Sequence, residues 1–171
     1  MHTQLLTFMK KILLLLAVQL FVATIIAQTK VLPATQVKTL EGAMVNVQDL
    51  GKTGKIMVII FWATWNSPSK NELDVIKDYY PDWKENYGIE LVALSADDPR
   101  TAAKIPAMVA EKGWEYRILH DASREFMEAA NITALPYTIV LDKSGNIAFE
   151  HIGYTPGDEL ELGDKIKSLA K

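Results

Sequence analysis

Three polar residues at three-residue intervals, Asn66, Ser69 and Glu72, stand in the stretch FWATWNSPSKNEL and are the first candidates for chemistry in this 171-residue chain. A serine hydroxyl becomes a nucleophile at neutral pH only when a neighbouring base takes its proton. The two histidines that follow, His120 and His151, are distant from Ser69 in sequence, and no Gly-x-Ser-x-Gly turn surrounds it. The sequence therefore does not favour a serine hydrolase.

A structural role explains the same residues more simply. Pro68 is typical of the first turn of a helix, and asparagine at position 66 is among the best N-cap residues. Such a cap contributes about 1 kcal/mol to helix stability. Ser67 then fills the first turn, and Glu72 is interpreted as an exposed acid near the helix start, where a negative charge suits the helix dipole.

The absence of cysteine excludes more chemistry than any other feature of the composition. Disulfides, thiolate metal sites and thiolate nucleophiles all require this residue, and so does peroxide reduction by a peroxidatic thiol. The adjacent acids Asp97 and Asp98 are interpreted as helix caps, because an oxygen cage needs several converging ligands. The sequence predicts no metal and no cofactor.

The N-terminus has the pattern of an export signal. Lys10 and Lys11 precede a mostly apolar run over residues 12–27, so we predict a signal peptide over residues 1–27, with Met9 as an alternative start. Export to the periplasm follows from this interpretation. The alternative is an uncleaved membrane anchor, which the shortness of the run disfavours. Because acidic residues outnumber basic ones, 21 to 18, the charge does not favour nucleic-acid binding.

After a lead-in linker over residues 28–35, the chain alternates strand and helix patterns. QVKTLEGAMVNVQDL predicts a hairpin around Glu41-Gly42, and the continuous apolar run KIMVIIFWATW predicts a central strand buried on both faces. The helix that follows is expected to run to about Asn86, with IELVALSA as the next strand. Asp98-Pro99 predicts the start of another helix, in which Pro106 would cause a kink or break.

The C-terminal part predicts further short elements. YRIL, YTIVLD and NIAFEHI have strand patterns, SREFMEAANI has a helical one, and the last helix is expected to start near Thr155-Pro156. Strands that alternate with helices predict one α/β domain over residues 36–171. We expect a central mixed β-sheet flanked by helices on both faces, with an N-terminal β-hairpin extension.

Four features of the sequence together resemble the TlpA-type thiol-disulfide reductases, a thioredoxin-like family that borders the AhpC/TSA peroxiredoxins. They are FWATW, the proline three residues beyond Trp65, KNEL, and ALPYTIVLDKSGNI, and the resemblance extends over residues 36–171. It implies a thioredoxin-like fold. In this family a Trp-Cys-x-Pro-Cys motif places the first cysteine at a helix N-terminus, which stabilises its thiolate, and the second resolves the mixed disulfide. The aligned positions here are Asn66 and Ser69.

The resemblance also implies a binding groove. The family places a cis-proline loop, here Leu135-Pro136, against the same helix, and the residue before the proline pairs with an extended substrate peptide. The candidate groove is lined by Trp65, Ser67, Pro68, Leu135 and Pro136. Glu72 matches a helix carboxylate that related reductases use to handle protons, whereas Trp62 is assigned to the core.

Two functional hypotheses remain. The first is an exported thioredoxin-like protein that has lost redox activity and binds a protein or extended peptide partner through the candidate groove. The second is a thiol-disulfide oxidoreductase that acts only together with a cysteine-bearing partner.

Overall fold

The computed structural model describes residues 29–171, so the signal peptide predicted for residues 1–27 lies outside the described part of the chain. The elements are β1 (Gln36–Thr39), β2 (Met44–Asn46), β3 (Met57–Trp62), α1 (Ser67–Tyr87), β4 (Glu90–Ser95), α2 (Ile105–Lys112), β5 (Arg117–His120), α3 (Glu125–Ala129), β6 (Tyr137–Leu141), β7 (Ile147–Ile152) and α4 (Asp158–Ala170). Short 3₁₀ segments span Val47–Lys52 and Ala102–Lys104. Within residues 29–171, no helix combines the length and the apolar character needed to cross a membrane.

All seven strands form one mixed sheet in the order β2-β1-β5-β4-β3-β6-β7. The β3–β4 and β4–β5 pairs are parallel, and the remaining pairs are antiparallel. Since β3 lies between two other strands and both sheet faces are covered, all six of its residues are buried. The predicted mixed sheet, its central strand and the N-terminal hairpin are confirmed.

Side chains alternate along β3 between two cores, one on each face of the sheet. Val58, Ile60 and Trp62 pack with residues from α1 and α4, whereas Met57, Ile59 and Phe61 pack with residues from α3. Trp62 is fully buried, with its ring 5.0 Å from that of Trp114 in an edge-on arrangement. The predicted flanking helices and the assignment of Trp62 to the core are both confirmed.

The helix predicted to open at Asp98-Pro99 begins later. The Asp98 carboxylate accepts hydrogen bonds from the backbone amides of Arg100 and Thr101, so it closes a turn that precedes the helix. The α-helix starts at Ile105, which puts Pro106 in its first turn. A proline there breaks no helical hydrogen bond, because the first amides of a helix have no partner within it. Of the predicted kink or break, no kink is found, and the change from the 3₁₀ segment Ala102–Lys104 to the α-helix falls just before Pro106.

The segment before β1 packs along β7. The Ile147 amide donates to the Lys30 carbonyl at 2.7 Å, Val31 bridges to Asn146, and Leu32 is buried. The Lys30 ammonium lies 2.7 Å from both carboxylate oxygens of Glu150. Part of the segment predicted as a linker is thus held against the domain.

Gly145 lies in the turn between β6 and β7, and it is the glycine at which an added side chain would make the closest backbone contact. Its φ is +83°, and a Cβ there would overlap the backbone carbonyl of Gly51. We expect Gly145→Ala to destabilise the fold by about 3 kcal/mol, as left-handed strain adds to a backbone clash. Gly54→Ala is the matched control: Gly54 also has positive φ but has open space around it, so its cost should be about 1 kcal/mol. Urea unfolding measures both, and equal losses would contradict the clash.

Candidate functional site

The start of α1 is held by hydrogen bonds between Asn66 and Ser69, the two positions that the resemblance aligns with the cysteine motif. Asn66 is the N-cap, and its Oδ1 accepts from the Ser69 amide at 2.9 Å. The Ser69 hydroxyl donates to the Asn66 carbonyl at 2.9 Å. The predicted N-cap role of Asn66 is confirmed, and Ser69 adds a second bond to the same residue.

Ser69 has no base in reach within the described part of the chain. Its side chain is fully buried, and its Oγ bonds to backbone groups of Asn66 and, at 3.4 Å, Ala63. His120 bonds to the Asp97 carbonyl, and His151 to the Asp158 carboxylate. The arrangement caps a helix and does not activate a nucleophile.

The loop between β3 and α1 is anchored by a buried carboxylate. Asp97 accepts from the Thr64 amide at 2.9 Å, from the Thr64 hydroxyl at 2.6 Å and from the Ser95 hydroxyl at 2.8 Å. The sequence interpretation of Asp97 as a cap was wrong, because its side chain is fully buried and crosses to the neighbouring strand connection. This anchor fixes the loop that carries Trp65.

Trp65, Ser67 and Pro68 lie at the same end of the sheet as Leu135 and Pro136. The antiparallel register pairs Phe61 with Tyr137, so the chain leaving β3 passes the chain entering β6. Trp65 is 58% exposed, Ser67 and Pro68 are exposed, Leu135 is half-buried and Pro136 is buried. The Leu135–Pro136 peptide bond is cis. Of the five candidate groove residues, Pro136 therefore offers little surface.

One apolar residue at this end was missed by the sequence interpretation. Ile152, the last residue of β7, pairs with Tyr137 and is 63% exposed. The next amide, that of Gly153, donates to the Pro136 carbonyl at 2.9 Å. The strand pattern of NIAFEHI alone does not show that β7 ends beside the proline loop, so only the sheet order reveals this position.

Glu72 is buried, and its interpretation as an exposed acid was wrong. It lies in the second turn of α1, only 4% exposed, and its Oε1 accepts from the Thr138 hydroxyl at 2.7 Å. Its Oε2 has no partner within residues 29–171. Burial raises the pKa of Glu72 to about 7, with the Thr138 hydrogen bond lowering it and the charge of Asp158 adding to the rise.

Metal-binding side chains do not converge in the described region. Within residues 29–171, no three histidine or acidic side chains stand close enough together to hold a metal ion. The groups present at this end of the sheet offer hydrogen bonding, apolar contact and a titratable carboxyl at Glu72.

Comparison with known proteins finds thiol-disulfide oxidoreductases among the relatives of this chain. The model of the AhpC/TSA family matches residues 29–150. The thiol-disulfide oxidoreductase ResA of Bacillus thuringiensis is 30% identical over 129 residues, which cover 75% of this chain and 72% of that protein.

Solved structures confirm the thioredoxin-like fold. An uncharacterized thioredoxin-like protein from Porphyromonas gingivalis superposes with a TM-score of 0.74 at 37% identity, covering 84% of this chain and 94% of that one. A putative thiol:disulfide interchange protein DsbE from Chlorobium tepidum superposes with a TM-score of 0.72 at 20% identity, covering 84% and 97%.

The Asp97 anchor can be tested by removing its carboxylate. Asp97→Ala leaves the buried donors of Thr64 and Ser95 without their acceptor, so we expect a loss of about 3 kcal/mol in the free energy of unfolding. Asp78→Ala, at an exposed position on α1, is the control and should change stability by about 0.5 kcal/mol or less. Chemical denaturation measures both, and a small effect of Asp97→Ala would show that the anchor is dispensable.

Proposed function

Because the chain belongs to the AhpC/TSA family, within its thioredoxin-like thiol-disulfide oxidoreductases, yet contains no cysteine, we propose that it binds an extended partner segment without redox chemistry. The candidate groove beside α1 is the proposed binding surface. The observation that carries the proposal is the Asn66–Ser69 hydrogen-bonded pair, which holds the helix start at the positions that the resemblance aligns with the thiol pair.

The loss of redox activity follows from the chemistry of the two side chains. Disulfide exchange needs a thiolate that attacks one sulfur and a second thiol that resolves the product. Neither an amide nor a hydroxyl forms such bonds, and each of the two side chains already bonds to the backbone of the other residue. A partner would therefore have to bring every thiol that takes part.

Two features support the binding of an extended segment. Within residues 29–171, the backbone groups of Ala134 and Leu135 make no hydrogen bond with another backbone group, which leaves them able to pair with an incoming strand. The exposed indole of Trp65 offers a large apolar anchor on a loop that Asp97 holds in place. A rigid anchor loses little conformational entropy on binding.

The proposed location is outside the cytoplasm. This part of the proposal rests on Lys10, Lys11 and the apolar run over residues 12–27, which have the pattern of an export signal. The partner is accordingly expected among envelope proteins or their unfolded forms.

The groove is tested by replacing its anchor. We expect Trp65→Ala to weaken capture of a partner from native envelope extract and to raise the dissociation constant of the identified partner roughly tenfold or more. Leu160→Ala is the matched control, because Leu160 is also 58% exposed but lies on α4. Calorimetric titration of the purified partner gives the constants. If the natural chain, Trp65→Ala and Leu160→Ala all bound the partner with equal affinity, the binding surface would lie elsewhere.

The same capture separates the two functional hypotheses when it is repeated after thiols in the extract have been blocked by alkylation. Binding through apolar contact and strand pairing does not depend on thiols, so capture should persist. Capture that disappears on alkylation would instead support joint action with a cysteine-bearing partner.

The redox prediction uses the natural chain and a double variant. We expect the natural protein to reduce a disulfide substrate no faster than buffer, and Asn66→Cys with Ser69→Cys to act roughly tenfold faster than either single-cysteine variant. The positions lie three residues apart at a helix start, where two thiols can both attack and resolve. Turnover by the natural chain would refute the proposed inactivity, and a folded but inert double variant would show that the site geometry is not retained.

A further inference from the structure

A set of titratable groups surrounds the buried carboxyl of Glu72. A small cavity beside it is lined by residues of α1, β6, β7 and α4: Glu72, Ile76, Thr138, Phe149, His151, Asp158, Glu159 and Leu162. We call Glu72, Thr138, His151 and Asp158 the Glu72 cluster. Because Glu72 Oε2 has no partner among the described residues, the cluster is not saturated with hydrogen bonds.

The Glu72 cluster is connected to the candidate groove through short contacts. Glu72 accepts from Thr138, which lies two residues beyond Pro136 and pairs with His151 across the sheet. His151 Nε2 lies 3.1 Å from Asp158 Oδ2. The Glu72 cluster therefore lies beside the strand ends that border the proline loop.

Asp158 also closes the loop over residues 153–157, which joins β7 to α4. Its Oδ2 accepts from the Thr155 amide at 2.7 Å. At the start of the same loop, the Gly153 amide donates to the Pro136 carbonyl. The loop is thus pinned to the groove at one end and to the Glu72 cluster at the other.

The charges that face Glu72 are mostly negative. From α4 come the carboxylates of Asp158 and Glu159, and from β7 comes the imidazole of His151. The Tyr154 phenol of the loop donates to Glu159 at 3.1 Å, while β6 contributes the neutral Thr138. On α1 itself, the other residue lining the cavity is the apolar Ile76. An ionised Glu72 would stand near the Asp158 carboxylate, whose charge opposes a second negative charge there.

We propose that the Glu72 cluster is a pH-responsive latch on the loop over residues 153–157, closed while Glu72 is protonated and released when it ionises. A neutral carboxyl fits a cavity with little solvent, whereas a carboxylate gains by becoming hydrated and moving away from Asp158. Opening of the loop would break the Gly153–Pro136 hydrogen bond and so change the side of the candidate groove formed by Leu135 and Pro136. The inference rests on the proposed function only for the assignment of that wall to a binding groove.

The direction of the effect follows from proton linkage. Burial raises the pKa of Glu72 from an ordinary value of 4.5 to about 7, so the closed form binds a proton more tightly than an open, hydrated form. The closed form of the loop is therefore favoured at acidic pH, and this stabilisation is lost as the pH rises through neutrality. If opening restores the ordinary value, the opening equilibrium increases about tenfold between pH 6 and pH 8.

Amide hydrogen exchange of the full chain, corrected for the intrinsic rate at each pH, measures this opening. We expect the protection of the Thr155 and Gly153 amides to fall about tenfold from pH 6 to pH 8, and Glu72→Gln to abolish the fall while keeping an acceptor for Thr138. Glu85→Gln, an exposed acid on the same helix, is the matched control and should behave like the natural chain.

Two results would overturn the latch. One is protection that does not change between pH 6 and pH 8, and the other is an unchanged pH dependence in Glu72→Gln. Carbon-13 titration of the Glu72 carboxyl in the natural chain is a second test, in which a midpoint near 4.5 would also refute the inference. None of these measurements needs a partner, so failure of the latch is distinguishable from failure of the groove.

Discussion

The structure at the candidate site depends on how the start of α1 is held without a disulfide. A helix N-terminus leaves its first amides without internal partners, and these groups require acceptors when they are removed from water. Asn66 supplies one acceptor through its side chain, and Ser69 returns a bond to the same residue. Two ordinary polar side chains thereby fix the helix start and, through it, the exposed loop residue Trp65.

Buried polar groups recur at this end of the sheet, and they differ in how completely they are paired. Asp97 accepts three hydrogen bonds across the β3–α1 and β4–α2 connections, which makes it a rigid anchor. Glu72 makes one such bond and leaves an oxygen unpaired within the described residues. A saturated network specifies one arrangement, whereas an unsaturated carboxyl is sensitive to its protonation state. Asp97 thus holds its loop in one arrangement, whereas Glu72 is the carboxyl that responds to pH.

The elements dominated by local patterns could be predicted from the sequence, and those set by tertiary contacts could not. A continuous apolar run is typical of a strand in the middle of a sheet, so β3 was recognisable, and Asn66 before Pro68 has a local capping pattern. Asp97 and Glu72 look like surface acids in sequence, since their partners Thr64 and Thr138 lie 33 and 66 residues away. Ile152 becomes exposed because β7 is the edge strand of the sheet, which depends on the strand order.

The replacement of both thiol positions changes the electrostatics of the site as well as its reactivity. At a helix N-terminus, free amides and the helix dipole favour an anion, which is how such a position lowers the pKa of a thiol. Here the Ser69 amide is already bound to Asn66 Oδ1, and the Ser69 hydroxyl donates its proton to a carbonyl. The cap thus takes up the amide that would otherwise stabilise a negative charge. A single cysteine at Ser69 would leave the Asn66 cap in place and supply no second thiol, so recovery of exchange chemistry requires both positions to change together.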